Sequence, residues 1–375
     1  MGNNIPILTL PIKPSSYDKI GMYLAPLFAN FLSKKVNGQF ITFLNLLNSY
    51  KEQTEYVSHL LNRYNELGIA ADCILSDAQM KNVLFEKIYS LAQQYHICAE
   101  KKEIVVCSCG KIDCLKESLQ SQTGKTIYKN NDAPICQFCH ERCKIIEKEV
   151  LLFKAPRFDL NKSFYFPTFS TKDFVELNSK FQYKKILISK QRNTNLPFQY
   201  QGKLYNLDVD FFWANYTALW PDKQKIILGS QRSIYPLFLI NTLQKLHDPE
   251  CETFSLLFPY IKNKYNVNIM QELRSLEDRK KQALYLLYSV KFKDKISVWD
   301  PNALNNIKKL DEKDVEYIYQ VIQHTPQMSE EKSFRAELID ATNQLNVQKI
   351  IQDMKRAKSK LQVSSFLQNT GSCRR

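Results

Sequence analysis

The sequence predicts an α/β protein: a parallel sheet carrying a metal-binding insertion in its middle and a helical segment at its end. Three observations carry that expectation. Strand-like and helix-like stretches alternate through the first hundred or so residues, the order that builds a parallel layer. Six of the ten cysteines fall between residues 107 and 143. From about residue 290 the apolar residues recur at helical spacing.

Taken in order, IPILTLPI (5–12) is a short apolar run of the kind that forms a buried strand. PSSYDKIGMY (14–23) is a small-residue turn ending at Gly21, and Leu24, Leu27, Phe28, Phe31 and Leu32 beyond it share one helical face. GQFITFLNLL (38–47) reads as a second strand. TEYVSHLLNRYNELGI (54–69) and QMKNVLFEKIYSLAQQYHI (79–97) read as two helices. Residues 99–158 are cysteine-rich and short of regular apolar periodicity. The α/β rhythm then resumes: YKKILISK (183–190) and KQKIILGS (223–230) read as strands, and SIYPLFLINTLQKL (233–246) as a helix just after Gly229. DEKDVEYIYQVIQH, FRAELIDATNQL and VQKIIQDMKRAKSKL give an all-helical end. The expected units are therefore 1–98, 99–158, 159–290 and 291–375.

Composition sets broad limits. A chain of 375 residues with 44% hydrophobic and 24% charged residues has the make-up of a soluble globular protein. MGNNIPILTLPIKP is too short and too proline-broken for a secretion signal, and no window reaches ~18 apolar residues. A cytoplasmic location with no membrane contact is the expectation. The net charge of +14 suits a polyanionic partner such as nucleic acid. The same lysine-rich, glycine-poor bias also arises from AT-rich coding, so charge alone leaves both readings open.

Clustered cysteines without a secretion signal point to a metal rather than to disulfides. CSCGKIDC supplies Cys107, Cys109 and Cys114, and CQFCHERC supplies Cys136, Cys139 and Cys143, with His140 beside them. Two short turns can each present two thiolates to one tetrahedral ion. Six thiols exceed the four that one zinc needs, so the spacing does not say which four bind. A structural zinc is expected, because no His-x-x-Glu-His helix of a catalytic site accompanies the cysteines. The competing reading is a set of free cysteines that closes no site.

These parts, in this order, resemble the class I aminoacyl-tRNA synthetases, most closely the methionyl type and then the cysteinyl type. KIGM (Lys19, Ile20, Gly21, Met22) stands where that family has its HIGH tetrad. ILISKQRNTNLPFQ resembles the segment carrying Arg-x-x-x-Trp-Gly-x-Pro, of which Pro197 remains. LYNLDVDFFWANYTALW resembles the Tyr-x-Trp-Phe-Asp-Ala stretch, with Phe212, Trp213 and Ala214 kept. ILGSQRSIYPLFLINTL resembles the Gly-Lys-Asp loop and its helix, with Gly229 kept, Ser230 and Gln231 replacing the charged pair, and Tyr235 near the usual histidine. KNKYNVNI (262–269) lies where KMSKS belongs. The resemblance runs from about residue 5 to about residue 310.

It implies a Rossmann-type (HUP) parallel sheet with a zinc-knuckle insertion and a C-terminal helical domain. It implies ATP with Mg²⁺ as cofactor, bound by Ile20, Gly21, Met22 and Gly229, and an amino-acid pocket at Phe212 and Trp213. Lys19, Lys262 and Lys264 are the candidates for the catalytic cations, and tRNA would meet Lys355, Arg356, Lys358 and Lys360 of the last helix. That stripe is equally the solvated face of an amphipathic helix.

The substitutions bear on the chemistry. In this family catalysis is positioning plus stabilisation of charge on phosphate oxygens. Lys19 can meet a phosphate as a point charge, whereas Met22 has no proton to donate. Losing one transition-state donor typically costs about 3 kcal/mol. The degenerate signatures therefore predict a divergent synthetase-like protein, impaired in standard aminoacylation, that binds a nucleotide, aminoacyl or tRNA ligand. Two alternatives are an active ATP-dependent aminoacyl ligase with altered substrate, and a zinc-stabilised module for a protein partner.

Overall fold

The computed structural model describes residues 5–16, 19–47, 54–110, 113–116, 127–130, 133–136, 138–156, 163–181, 184–292, 294–323 and 334–371. The chain opens with strand β1 (Pro6–Thr9), helix α1 (Gly21–Val36), β2 (Gln39–Leu44), α2 (Thr54–Glu66), β3 (Cys73–Ser76) and α3 (Lys81–Gln93). An antiparallel segment follows: β4 (Ile97–Val106), β5 (Asp113–Leu115), β6 (Ile127–Asn130), β7 (Ala133–Cys136) and β8 (Lys144–Lys154). Next come β9 (Ser163–Phe166), α4 (Phe169–Phe181), β10 (Lys185–Leu187), β11 (Ser189–Lys190), β12 (Pro197–Tyr200), β13 (Lys203–Leu207) and α5 (Val209–Ala214). The remainder is β14 (Gln224–Ser230), α6 (Ile234–His247), β15 (Glu252–Phe258), β16 (Tyr260–Lys262), α7 (Ile269–Arg274), α8 (Arg279–Tyr288), β17 (Ile296–Val298), α9 (Ala303–Lys308), α10 (Glu312–Gln323), α11 (Phe334–Asn343) and α12 (Val347–Gly371).

The centre is a six-stranded sheet in the order β3-β2-β1-β14-β15-β9, with every pairing parallel. A parallel sheet must be covered on both faces, and its strands are accordingly apolar along their length. Side chains alternate between two cores. Ile7, Phe40, Leu44, Ile226, Leu228, Phe254 and Leu256 join α1, α2 and the C-terminal helices. Leu8, Ile41, Phe43, Ile227 and Leu257 join α3, α4, α5 and α6 on the other face.

Helix α1 is buried on the face read from the sequence and well beyond it, from Tyr23 to Ser33. It is wedged between the sheet and helices α8, α10 and α11. Lys35 in its last turn is almost fully buried, at 2% exposure. Its ammonium donates to Gln344 Oε1 at 2.7 Å and to the Val321 carbonyl at 3.3 Å, tying α1 to the helical region. Among the described residues no helix is long and apolar enough to cross a membrane.

Several expectations need correction. Cys73–Ser76, Ser163–Phe166 and Glu252–Phe258 are strands of the central sheet that the apolar pattern did not mark. YKKILISK does not enter that sheet. Its residues form β10, which pairs with β8, and β11, which pairs with β13. The cysteine-rich region is a long antiparallel ribbon, β4 against β8 from Ile97↔Phe153 to Val106↔Lys144. Its middle is exposed on both faces, which removes the apolar alternation a strand usually shows. The end is not purely helical either, because β17 pairs in parallel with β16.

Burial lowers the pKa of Lys35 from 10.5 to about 8. The unfolded chain therefore holds this proton more tightly between those pH values, and stability contributed at this site rises as pH rises. Relative to Lys35→Met, the wild type should gain stability from pH 8 to 10.5, by at most about 3 kcal/mol. Denaturant unfolding of both proteins across that range is the check; parallel curves would show that Lys35 carries no such linkage.

Candidate functional site

Strand order reverses between β1 and β14. From β1 the chain winds outward to β2 and β3, and from β14 outward to β15. The loops leaving adjacent strands therefore part company there, and a crevice opens at the carboxyl ends of the strands. A cavity of about 420 Å³ occupies this point. Leu10, Pro11 and Ile12 line it after β1, Gly229 and Ser230 at the end of β14, and Pro259 and Tyr260 after β15. Ile20, Gly21, Met22 and Ala25 close it from the start of α1, with Trp213 opposite.

The structure thus brings Ile20, Gly21, Met22, Gly229 and Trp213 together from three separate segments. Trp213 is held by its indole N–H, which donates to Asp210 Oδ1 at 3.2 Å. Phe212 does not line the cavity; it is fully buried against Phe85, with ring centroids 5.1 Å apart. Lys19 is exposed and also outside the lining, its carbonyl accepting the Met22 N–H. Among the described residues no charged side chain lines this cavity.

The two glycines differ in cause. A methyl group on Gly229 would lie 2.8 Å from Leu237 Cδ1 and 3.3 Å from Leu10 Cδ1, so it would force these side chains, packed between α6 and the sheet, to shift. A methyl group on Gly21 would meet no protein atom within 4 Å. Nothing in the fold demands glycine at that position, which leaves the open space beside it as its distinguishing property.

A second, larger cavity of about 1050 Å³ adjoins the first and shares Tyr260 with it. Lys262 lines it, together with Arg232, Gln231 and Tyr235 after β14, Asp173, Glu176 and Lys180 of α4, and Lys295. Lys264 lies outside, on an exposed turn that Asn263 closes by accepting the Val267 N–H at 3.0 Å and donating to its carbonyl at 2.7 Å. Burial pushes the Tyr235 phenol well above its ordinary range, with the carboxylates of Asp208 and Asp210 acting in the same sense. It is neutral at every working pH.

The metal candidates converge at the far end of the β4–β8 ribbon. Cys107, Cys109, Cys136 and Cys139 place their four sulfurs within 4.8 Å of one another. Cys107 Sγ lies 3.2 Å from Cys139 and 3.3 Å from Cys109, and Cys109 lies 3.6 Å from Cys136. Four thiolates at 2.3 Å from a tetrahedral zinc stand about 3.8 Å apart, so the quartet fits one ion. Each turn ends on a left-handed residue, Gly110 at φ 67 and His140 at φ 60. Backbone N–H groups fold back inside both turns, from Gly110 to the Cys107 carbonyl and from His140 to that of Cys136. Cys114 and Cys143 are buried beneath the quartet in the same cluster. Burial pushes the Cys114 thiol up to about 11.

In the last helix Lys355, Arg356 and Lys358 are exposed. Lys358 pairs with Asp314 of α10, and Arg356 lies 3.9 Å from Asp353. The side chain of Lys360 lies outside the described residues.

Two predictions follow from this geometry. Cys107→Ser or Cys136→Ser should lose the bound metal, whereas Cys114→Ser should keep about one equivalent, as read by elemental analysis of purified protein. Gly229→Ala should lower stability by about 1–3 kcal/mol through overpacking, and Gly21→Ala should leave the melting temperature unchanged or raise it.

No family model matches this sequence, and no curated protein matches it. Solved structures do. The methionyl-tRNA synthetase of Mycobacterium tuberculosis in complex with methionyl-adenylate superposes with a TM-score of 0.65 at 10% identity, over 96% of this chain and 84% of that one. A second structure of that enzyme bound by methionyl-adenylate gives 0.65 at 11% identity, over the same shares. Its apo form gives 0.61 at 12%, over 93% of this chain and 78% of that one. The chain has the class I synthetase-like fold, with a parallel central sheet, a cysteine quartet able to hold a metal ion and a helical C-terminal region.

Proposed function

We propose that this protein is a divergent synthetase-like protein of methionyl type that binds an aminoacyl or nucleotide ligand at the switch point of its sheet and is impaired in standard aminoacylation. One observation carries the reading. The cavity at the carboxyl ends of β1 and β14 is present, but its lining holds no charged side chain among the described residues. An apolar cavity of this size suits an uncharged side chain or ring. It gives poor support to the charge that spreads over phosphate oxygens during adenylation, because a buried charge without a partner is costly.

ATP with Mg²⁺ is the cofactor this reading assigns to the adjoining charged cavity, and zinc is the ion it assigns to the cysteine quartet. Zinc there fixes the two cysteine turns at the tip of the ribbon, beyond its small apolar cluster. Binding of tRNA draws support from the net charge of +14 and from Lys355 and Arg356 on α12.

The test is amino-acid-dependent exchange of pyrophosphate into ATP, run across the twenty amino acids beside calorimetric titration with ATP. The expected result is ATP binding with exchange at least about a hundredfold below that of an intact synthetase. Full exchange with any amino acid would establish the active-ligase alternative instead.

A further inference from the structure

Arg232 lies in the short turn between β14 and α6, and its guanidinium carbon sits 3.5 Å from the centroid of the Tyr260 ring. Tyr260 and Lys262 are two residues apart on β16, so their side chains emerge on the same face of that strand. Arg232 and Lys262 both line the larger cavity, and Tyr260 forms its border with the uncharged one.

The charges around that cavity are unevenly engaged. Lys180 pairs with Glu176 at 2.6 Å, and Lys295 pairs with Asp173 at 2.8 Å. Those two pairs use both acids of the lining. Arg232 and Lys262 have no ion-pair partner among the described residues. A guanidinium stacked on an aromatic ring keeps its plane fixed while its N–H groups remain in that plane, free for an oxyanion. Less conformational freedom is then lost when an anion arrives.

We infer that Arg232, held against the Tyr260 ring, is the anion receptor of this site and takes the phosphoryl oxygens of a polyphosphate, with Lys262 as the second cation. This rests on the nucleotide-site reading above and deepens it. The charge needed at the phosphates is supplied from the β14–α6 turn rather than from the start of α1, where KIGM offers the cavity only apolar surface. An apolar part of the same ligand has the uncharged cavity directly beyond Tyr260.

Titration with inorganic pyrophosphate and, separately, with ATP tests the assignment on the full-length protein. Arg232→Ala should weaken both by about tenfold or more, since charge-assisted hydrogen bonds are lost. Arg232→Lys should fall between the two, because charge remains without the planar fork. Tyr260→Phe should match the wild type, and Tyr260→Leu should weaken binding while leaving the residue count of cations unchanged. Arg232 is exposed, so its variants should melt with the wild type. Wild-type binding with an unaffected Arg232→Ala would overturn this inference alone. No binding of either probe by the wild type would overturn the nucleotide-site reading with it.

Discussion

The parallel pairing of β1 with β14 is the constraint on which the rest depends. Ile7↔Ile226, Leu8↔Ile227 and Thr9↔Leu228 join the two halves of the sheet at its centre. Because the chain leaves these neighbours in opposite directions, their carboxyl ends cannot be bridged by a local loop, and a crevice results. Segments more than two hundred residues apart then share one surface. The Tyr216 hydroxyl donating to the Thr9 carbonyl at 2.8 Å shows how tightly the second half is fastened to that edge.

Charge is partitioned across this edge. The inner cavity is lined by aliphatic, proline and aromatic residues with Ser230 and Ser233, and the outer one gathers four cations and two acids. Tyr260 sits at the division. Water and ions are thereby favoured on one side and apolar groups on the other. Ile20 and Met22 at the start of α1 add apolar surface to the inner cavity.

The ribbon tip follows a different logic. Strands β4 and β8 bury a small apolar cluster of Ile104, Leu115, Val150, Leu152 and Leu187, but the turns beyond it, CSCG (107–110) and CQFCHERC (136–143), offer as a large apolar residue the exposed Phe138. Sulfur is what these two turns gather, from Cys107, Cys109, Cys136 and Cys139. Cys114 and Cys143 pack beneath as small apolar groups. Both sets carry the same residue type at similar spacing, and only position in space separates them.

Local features were legible in the sequence because they depend on neighbours in the chain. The apolar face of α1, the strands Pro6–Thr9, Gln39–Leu44 and Gln224–Ser230, and the paired cysteines follow from period and spacing alone. The motif order of the resemblance also sets Gly21 and Gly229 at one site, and both line the inner cavity. Tertiary structure decided what is shared between distant segments: the two outer strands Cys73–Ser76 and Ser163–Phe166, the choice of four sulfurs, and the cavity that admits Trp213 but not Phe212. The Arg232–Tyr260 stack belongs to that second group. No periodicity predicts it, because the two residues meet only when β14 and β15 lie side by side, and strand order is set by long-range pairing rather than by local sequence.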